Sequence, residues 1–172
     1  MNSNELAVEL RKVRRRYDVL DRGQTVPLRR CRSATELLLE SSYWRVVEAA
    51  GDIPNLAHVV LHFPLAAQVA NERFAFGSFL RQQLPDTDGA ALRLRRLLDC
   101  RDRSELDHRL RAMLRLTCGD GGAVDWGSLG RDVLWYFAES DAVRRRWAQD
   151  FYAPLGFRSV KAASSTESTE NS

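Results

Sequence analysis

Leu6, Leu10, Val13, Tyr17 and Leu20 follow one another at steps of four, three, four and three residues. That spacing puts five large apolar groups on one face of an α-helix. It excludes a half-buried strand, whose apolar residues would recur at every second position. Gly23 and Pro27 are read as ending this helix and forming a connector. Ser33-Ala34-Thr35-Glu36 has the form of a capping box opening the next helix, with a break near Ser41-Ser42. A segment from Tyr43 to Ala50 stops at Gly51. Asn55 to Ala70 reads as helix, kinked or broken at Pro64, and Phe74 to Leu84 as another, closed by Pro85. Asp86-Thr87-Asp88-Gly89 is the best internal boundary. Beyond it, Ala91, Leu94 and Leu98 mark a helix ending near Cys100. Ser104-Glu105-Leu106-Asp107 resembles a second capping box, with Leu106, Leu110, Met113 and Leu114 carrying the stripe onward. No segment sustains a period of two, so strands are not expected. The expected fold is all-α: two packed helical bundles, an N-terminal subdomain over residues 1–85 and a C-terminal bundle over 86–158. The polar, low-complexity tail 159–172 is expected to be disordered.

Residues 121–137, GGAVDWGSLGRDVLWYF, pass from a Gly-rich loop (Cys118 to Ala123) into an aromatic helix. Asp125 stands where an N-cap belongs. Trp126, Leu129, Val133 and Tyr136 or Phe137 then fall at helical spacing. Ser140-Asp141 is read as capping the last helix, whose stripe is Val143, Trp147 and Phe151. Trp126, Leu129, Val133, Trp147 and Phe151 are therefore assigned to the structural core rather than to a stacking platform.

The chemistry the chain lacks narrows its function. His58 and His62 have the i, i+4 spacing of a zinc pair, but no HExxH, cysteine pair or suitably spaced carboxylate accompanies them. They are read as a partly buried pair, His108 as a surface residue, and no metal is expected. There is no Walker A, GxGxxG or GxSxG pattern, and the acids are interleaved with arginines, as in surface ion pairs. No catalytic residues, cofactor or enzymatic activity are expected. Cys31, Cys100 and Cys118 are odd in number and far apart, which argues for buried thiols rather than disulfides. No run of about 18 apolar residues appears, and the charged N-terminus has no apolar h-region. A cytoplasmic protein with no membrane partner is expected.

The arginines remain. From Arg11 to Arg32 nine basic residues face only Asp18 and Asp21, a local charge of +7 against +3 for the whole chain. Lys12 and Lys161 are the only lysines. Arginine pairs bidentately with phosphate and stacks on bases. Arg29, Arg30 and Arg32 lie in and just after the Pro-containing turn. Arg93 and Arg96 share one helix side, and Arg101 and Arg103 bracket a turn. Arg111 and Arg115 are four apart, and Arg144, Arg145 and Arg146 precede Trp147. Each could be solvated surface charge. Together they could line a groove that follows a phosphate backbone without reading sequence. A stand-alone helical nucleic-acid-binding regulator and a structural adaptor binding acidic proteins are the alternatives.

Two blocks carry a family resemblance. The first is YDVLDRGQTVPLRRCRSATELLLESSYWRVV, residues 17–47. The second runs over residues 93–152 and holds RLRRLLDCRDRSELDHRLRAMLRL, then AVDWGSLGRDVLWYF, then VRRRWAQDFY. In order and spacing they resemble the CasB family, the small subunit of the type I-E CRISPR Cascade surveillance complex. The resemblance implies a non-enzymatic, two-bundle helical subunit. It would assemble head to tail with a second copy beside the Cascade backbone and large subunits. It would stabilise crRNA–target pairing and guide the displaced DNA strand of the R-loop. On this resemblance Arg29 and Arg30 fall on the family's paired arginines. Arg101 and Arg103 fall on its arginine-bearing turn, Arg111 on the next helix, and Arg144 to Arg146 near its basic segment.

Overall fold

The computed structural model describes residues 1–69, 74–84, 87–119 and 121–153. The expected tail, 159–172, lies outside them, as do Ala70, Pro85 and Asp86. Ten α-helices are present among the described residues: α1 (Ser3–Asp18), α2 (Arg22–Arg30), α3 (Ala34–Leu38), α4 (Ser41–Val47), α5 (Leu56–Val60), α6 (Phe76–Gln83), α7 (Thr87–Leu98), α8 (Arg103–Cys118), α9 (Trp126–Trp135) and α10 (Ser140–Tyr152). The fold is all-α, as expected.

Helix α1 buries Leu6, Leu10, Val13 and Tyr17, the stripe read from the sequence. The connector expected at Gly23 and Pro27 is instead helix α2. Asp21 and Gln24 form a reciprocal capping box at its start, and Thr25 and Leu28 are buried. Pro27 removes the N–H that would reach the Gly23 carbonyl, but Gly23 is exposed and water can serve it. The box at Ser33 is half formed. Ser33 Oγ accepts from Glu36 N–H, while the Glu36 carboxylate takes the Arg32 N–H instead. The helix expected over 55–70 is only α5, a single 3-10 turn (Phe63–Leu65) at Pro64, and a two-residue strand, β1 (Ala67–Gln68). β1 pairs in parallel with β2 (Ala123–Val124), so the expectation of no strands fails at this one staple. The cap of α8 is Asp102, two residues before the expected Ser104. Glu139, not Ser140-Asp141, stands at the N-cap of α10, and it makes no side-chain cap bond.

Two close helix crossings bring the halves of the sequence together. α1 packs along α9, where a Cβ on Gly127 would lie 2.7 Å from the Ala7 carbonyl oxygen. α6 packs along α10, where a Cβ on Gly77 would lie 2.1 Å from the Trp147 carbonyl oxygen. Helix α6, expected on the N-terminal side of a boundary at 85/86, thus sits on the last helix. The buried apolar side chains form one continuous cluster from Leu6 to Phe151.

Asp125 ties this centre together. Its carboxylate caps α9 through Gly127 N–H and Ser128 N–H and accepts from two Arg11 nitrogens at 2.8 and 2.7 Å. Gln68 of β1 donates to the same carboxylate and accepts the Trp126 N–H. Burial alone would raise the Asp125 pKa. The hydrogen bonds from Arg11, Ser128 and Gln68 outweigh it and hold the carboxyl well below its ordinary range.

Candidate nucleic-acid interface

Helix α8 is amphipathic. Leu106, Leu110, Met113 and Leu114 face the core, while Ser104, His108, Ala112 and Arg115 face out. A cleft lies on each side of the outward face. The first, about 910 Å³, is bordered by α3, α4 and the 51–58 segment, and carries Arg32, Arg111, Arg115 and Trp44. The second, about 900 Å³, lies against α7 and carries Arg93, Arg96 and Arg109. The clefts meet at Ser104 and His108, which border both. With α7 packed on α8, and α3 on α4 and α5, arginines from the α2–α3 linker, α7 and α8 gather on one side.

The side chains of Arg32, Arg93, Arg96 and Arg115 are exposed and make no ion pair among the described residues. Arg111 is half-buried and donates to the Cys31 carbonyl at 2.8 Å. Burial and then the like charge of Arg115 lower its guanidinium from the ordinary value, so an incoming anion would be favoured there. Arg109 is already engaged by Glu105 one turn away.

At the first cleft Asp107 joins both sequence-noted histidines. His58 Nδ1 lies 2.6 Å from Asp107 Oδ2, and His62 Nε2 lies 3.3 Å from Oδ1. His62 is fully buried; burial pushes its imidazole pKa down, against the pull of Asp107. Burial raises Asp107, but the hydrogen bonds from both histidines prevail and lower it. Among the described residues no His, Cys, Asp and Glu cluster could hold a metal ion. The three cysteines are free and buried, with the Cys100 thiol pushed up to about 11 by burial.

These shifts set an acid response. His62, Asp107 and Asp125 each have a lower pKa in the folded chain, so the unfolded chain binds more protons and stability falls with falling pH. The first loss is expected below about pH 6.5, from His62, and a steeper one below about pH 4, from the two carboxylates. Urea midpoints measured across this range check it. In a His62→Gln chain the upper leg flattens and the lower leg shrinks only in part, because Asp107 loses one of its two histidine partners while Asp125 keeps its own.

The other sequence-chosen arginines divide in two. Arg29, Arg30, Arg101 and Arg145 are exposed, with Arg30 beside Glu36 and Glu40. Arg103, Arg144 and Arg146 are half-buried and work inside the fold. Arg103 donates to the Val133 and Leu134 carbonyls and lies over the Phe137 ring. Arg144 donates to the Cys100 carbonyl and the Tyr136 hydroxyl. Arg146 pairs with Asp132. Three residues escaped the sequence reading. Arg11 and Arg14 belong to the basic N-terminal run yet point inward. Arg14 is buried against Tyr17, Phe63 and Trp126 and donates to the Phe63 and Ala66 carbonyls. The third is Trp44, which stands off the Tyr43–Val46–Ala50 stripe, the one sign of its exposure.

A family model for the CRISPR-associated protein Cse2 matches residues 19–152. The chain belongs to the Cse2 family. The match covers the first block from Val19 onward, the whole of the second, and every element that builds the two clefts. The fold agrees with two solved structures. One is a Cse2-family CRISPR-associated protein from Thermus thermophilus, at TM-score 0.61 and 20% identity, covering 88% of this chain and 98% of that one. The other is CasB of M. ruber, at TM-score 0.60 and 20% identity, covering 88% and 93%. No curated protein sequence matches. No helix among the described residues is long and apolar enough to cross a membrane.

Proposed function

We propose that this Cse2-family chain is the non-catalytic small subunit of a cytoplasmic type I-E CRISPR Cascade complex. In that role it holds the target and displaced DNA strands of the R-loop through arginine contacts that ignore sequence. The observation that carries this reading is the convergence of Arg32, Arg93, Arg96, Arg111 and Arg115 on two clefts that meet across α8. Arg32, Arg93, Arg96 and Arg115, exposed and without an ion pair among the described residues, can each take a phosphate bidentately, and half-buried Arg111 adds its charge beside them. Spread over two helices and a linker, they track a backbone rather than form one recognition helix, which disfavours a helix-turn-helix regulator. R-loop formation is nearly balanced in free energy, so a few such contacts decide whether the loop stays open. Exposed Arg29, Arg30, Arg101 and Arg145 extend the basic surface. The remaining faces meet the backbone and large subunits and a second copy, head to tail, beside the crRNA.

Arg93→Glu with Arg96→Glu is expected to shorten R-loop lifetime on the assembled complex without disturbing assembly. The log–log dependence of DNA affinity on salt becomes shallower by about one for each phosphate no longer engaged. Arg29→Glu with Arg30→Glu acts in the same direction. Unchanged affinity and slope in both variants would overturn the proposal. Loss of the chain from the complex would favour a structural adaptor.

A further inference from the structure

Trp44 is 56% exposed, whereas Trp126 and Trp147 are fully buried. Its ring is held rather than loose. Nε1 donates to the Leu38 carbonyl at 3.1 Å, and the ring meets Tyr43 edge-on, centroids 5.1 Å apart at 78°. A fixed indole therefore borders the first cleft, which also holds Arg32, Arg111 and Arg115. The carboxylates bordering this cleft are Asp107, taken by two histidines, and exposed Asp52.

We infer that the cleft between α4 and α8 binds an unpaired segment of nucleic acid, with one base stacked on Trp44 and its phosphates on Arg32, Arg111 and Arg115. The combination of a rigid aromatic surface and surrounding guanidiniums is what single-strand sites use, because every base offers a π-face. In a duplex those faces are covered by neighbouring bases, so the site selects single strands. The three guanidiniums favour an anionic ligand over an apolar protein segment. This inference rests on the nucleic-acid reading above and adds a requirement for a base.

The test measures fluorescence anisotropy of the full chain with an oligothymidylate of about 15 nucleotides and an abasic strand of equal length. Wild type is expected to bind the oligothymidylate more tightly, with quenching of indole emission. Trp44→Ala should weaken that binding by about 5- to 100-fold, leave abasic binding unchanged and erase the difference. Trp44→Phe should restore part of it. Because Trp44 is largely exposed, thermal melts of both variants should match wild type. Equal binding of the two strands by wild type would overturn the base contact and leave the phosphate reading standing. Binding of neither strand would overturn both. Intact oligothymidylate binding by Trp44→Ala, with release of the chain from the assembled complex, would make the cleft a protein-docking site and overturn the inference.

Discussion

Trp126→Ala is expected to destabilise the chain by about 3–5 kcal/mol. Trp126 is fully buried at the first turn of α9. Its Nε1 donates to the Ala66 carbonyl at 3.0 Å, and Phe63 meets its ring edge-on at 5.0 Å. The Arg14 guanidinium lies over the same ring, 6.0 Å from its centroid, and donates to the same carbonyl. Truncation would open a large cavity and strip one wall from a buried cation, so the site cannot simply collapse. A domain of this size is stabilised by only about 5–15 kcal/mol, so much of the total would go. The urea midpoint should fall with its slope unchanged. Trp126→Phe, which keeps the aromatic wall and loses the N–H, should fall between the two. A Trp126→Ala chain as stable as wild type but unable to bind DNA would instead make Trp126 a binding platform.

That outcome could be anticipated because the signals around Trp126 agree with each other. The cap at Asp125, the stripe Trp126–Leu129–Val133 and the stripe Val143–Trp147–Phe151 are all local patterns, and all are buried as their period requires. The reading failed where long-range partners decide. Gly23 and Pro27 disfavour helix locally, yet the burial of Leu28 against the rest of the fold carries α2 through them, helped by a local Asp21–Gln24 capping box. Ala67-Gln68 becomes a strand only because Ala123-Val124 lies alongside. The arginines show the same limit. Arg111 and Arg115 sit one turn apart with identical chemistry, but one reaches the Cys31 carbonyl and the other reaches no partner among the described residues. Arg11 and Arg14, part of the most basic stretch, hold α1 to the start of α9 and to the loop before β1. Charge is visible in a sequence; whether a carboxylate or carbonyl waits for it is settled by packing.

Asp132→Ala should cost about 1–3 kcal/mol, because it leaves a buried donor unsatisfied. Asp132 is buried in α9, where Oδ2 accepts Trp147 Nε1–H at 2.8 Å and Oδ1 accepts from Arg146 and, at 3.2 Å, from Arg131. Removing the carboxylate orphans a fully buried indole N–H and leaves two neighbouring guanidiniums without a shared counter-ion. Arg146→Ala should cost far less, because Arg131 and Trp147 still serve the carboxylate. The pair also separates two uses of the triplet Arg144–Arg146. Arg146→Ala should lower the urea midpoint while the folded chain keeps its DNA affinity. Arg145→Ala, exposed at the adjacent position, should leave the midpoint unchanged and weaken binding. If Arg146→Ala lowered DNA affinity at full stability, the guanidinium would be turned outward when DNA is bound, and Asp132 would be a partner it releases.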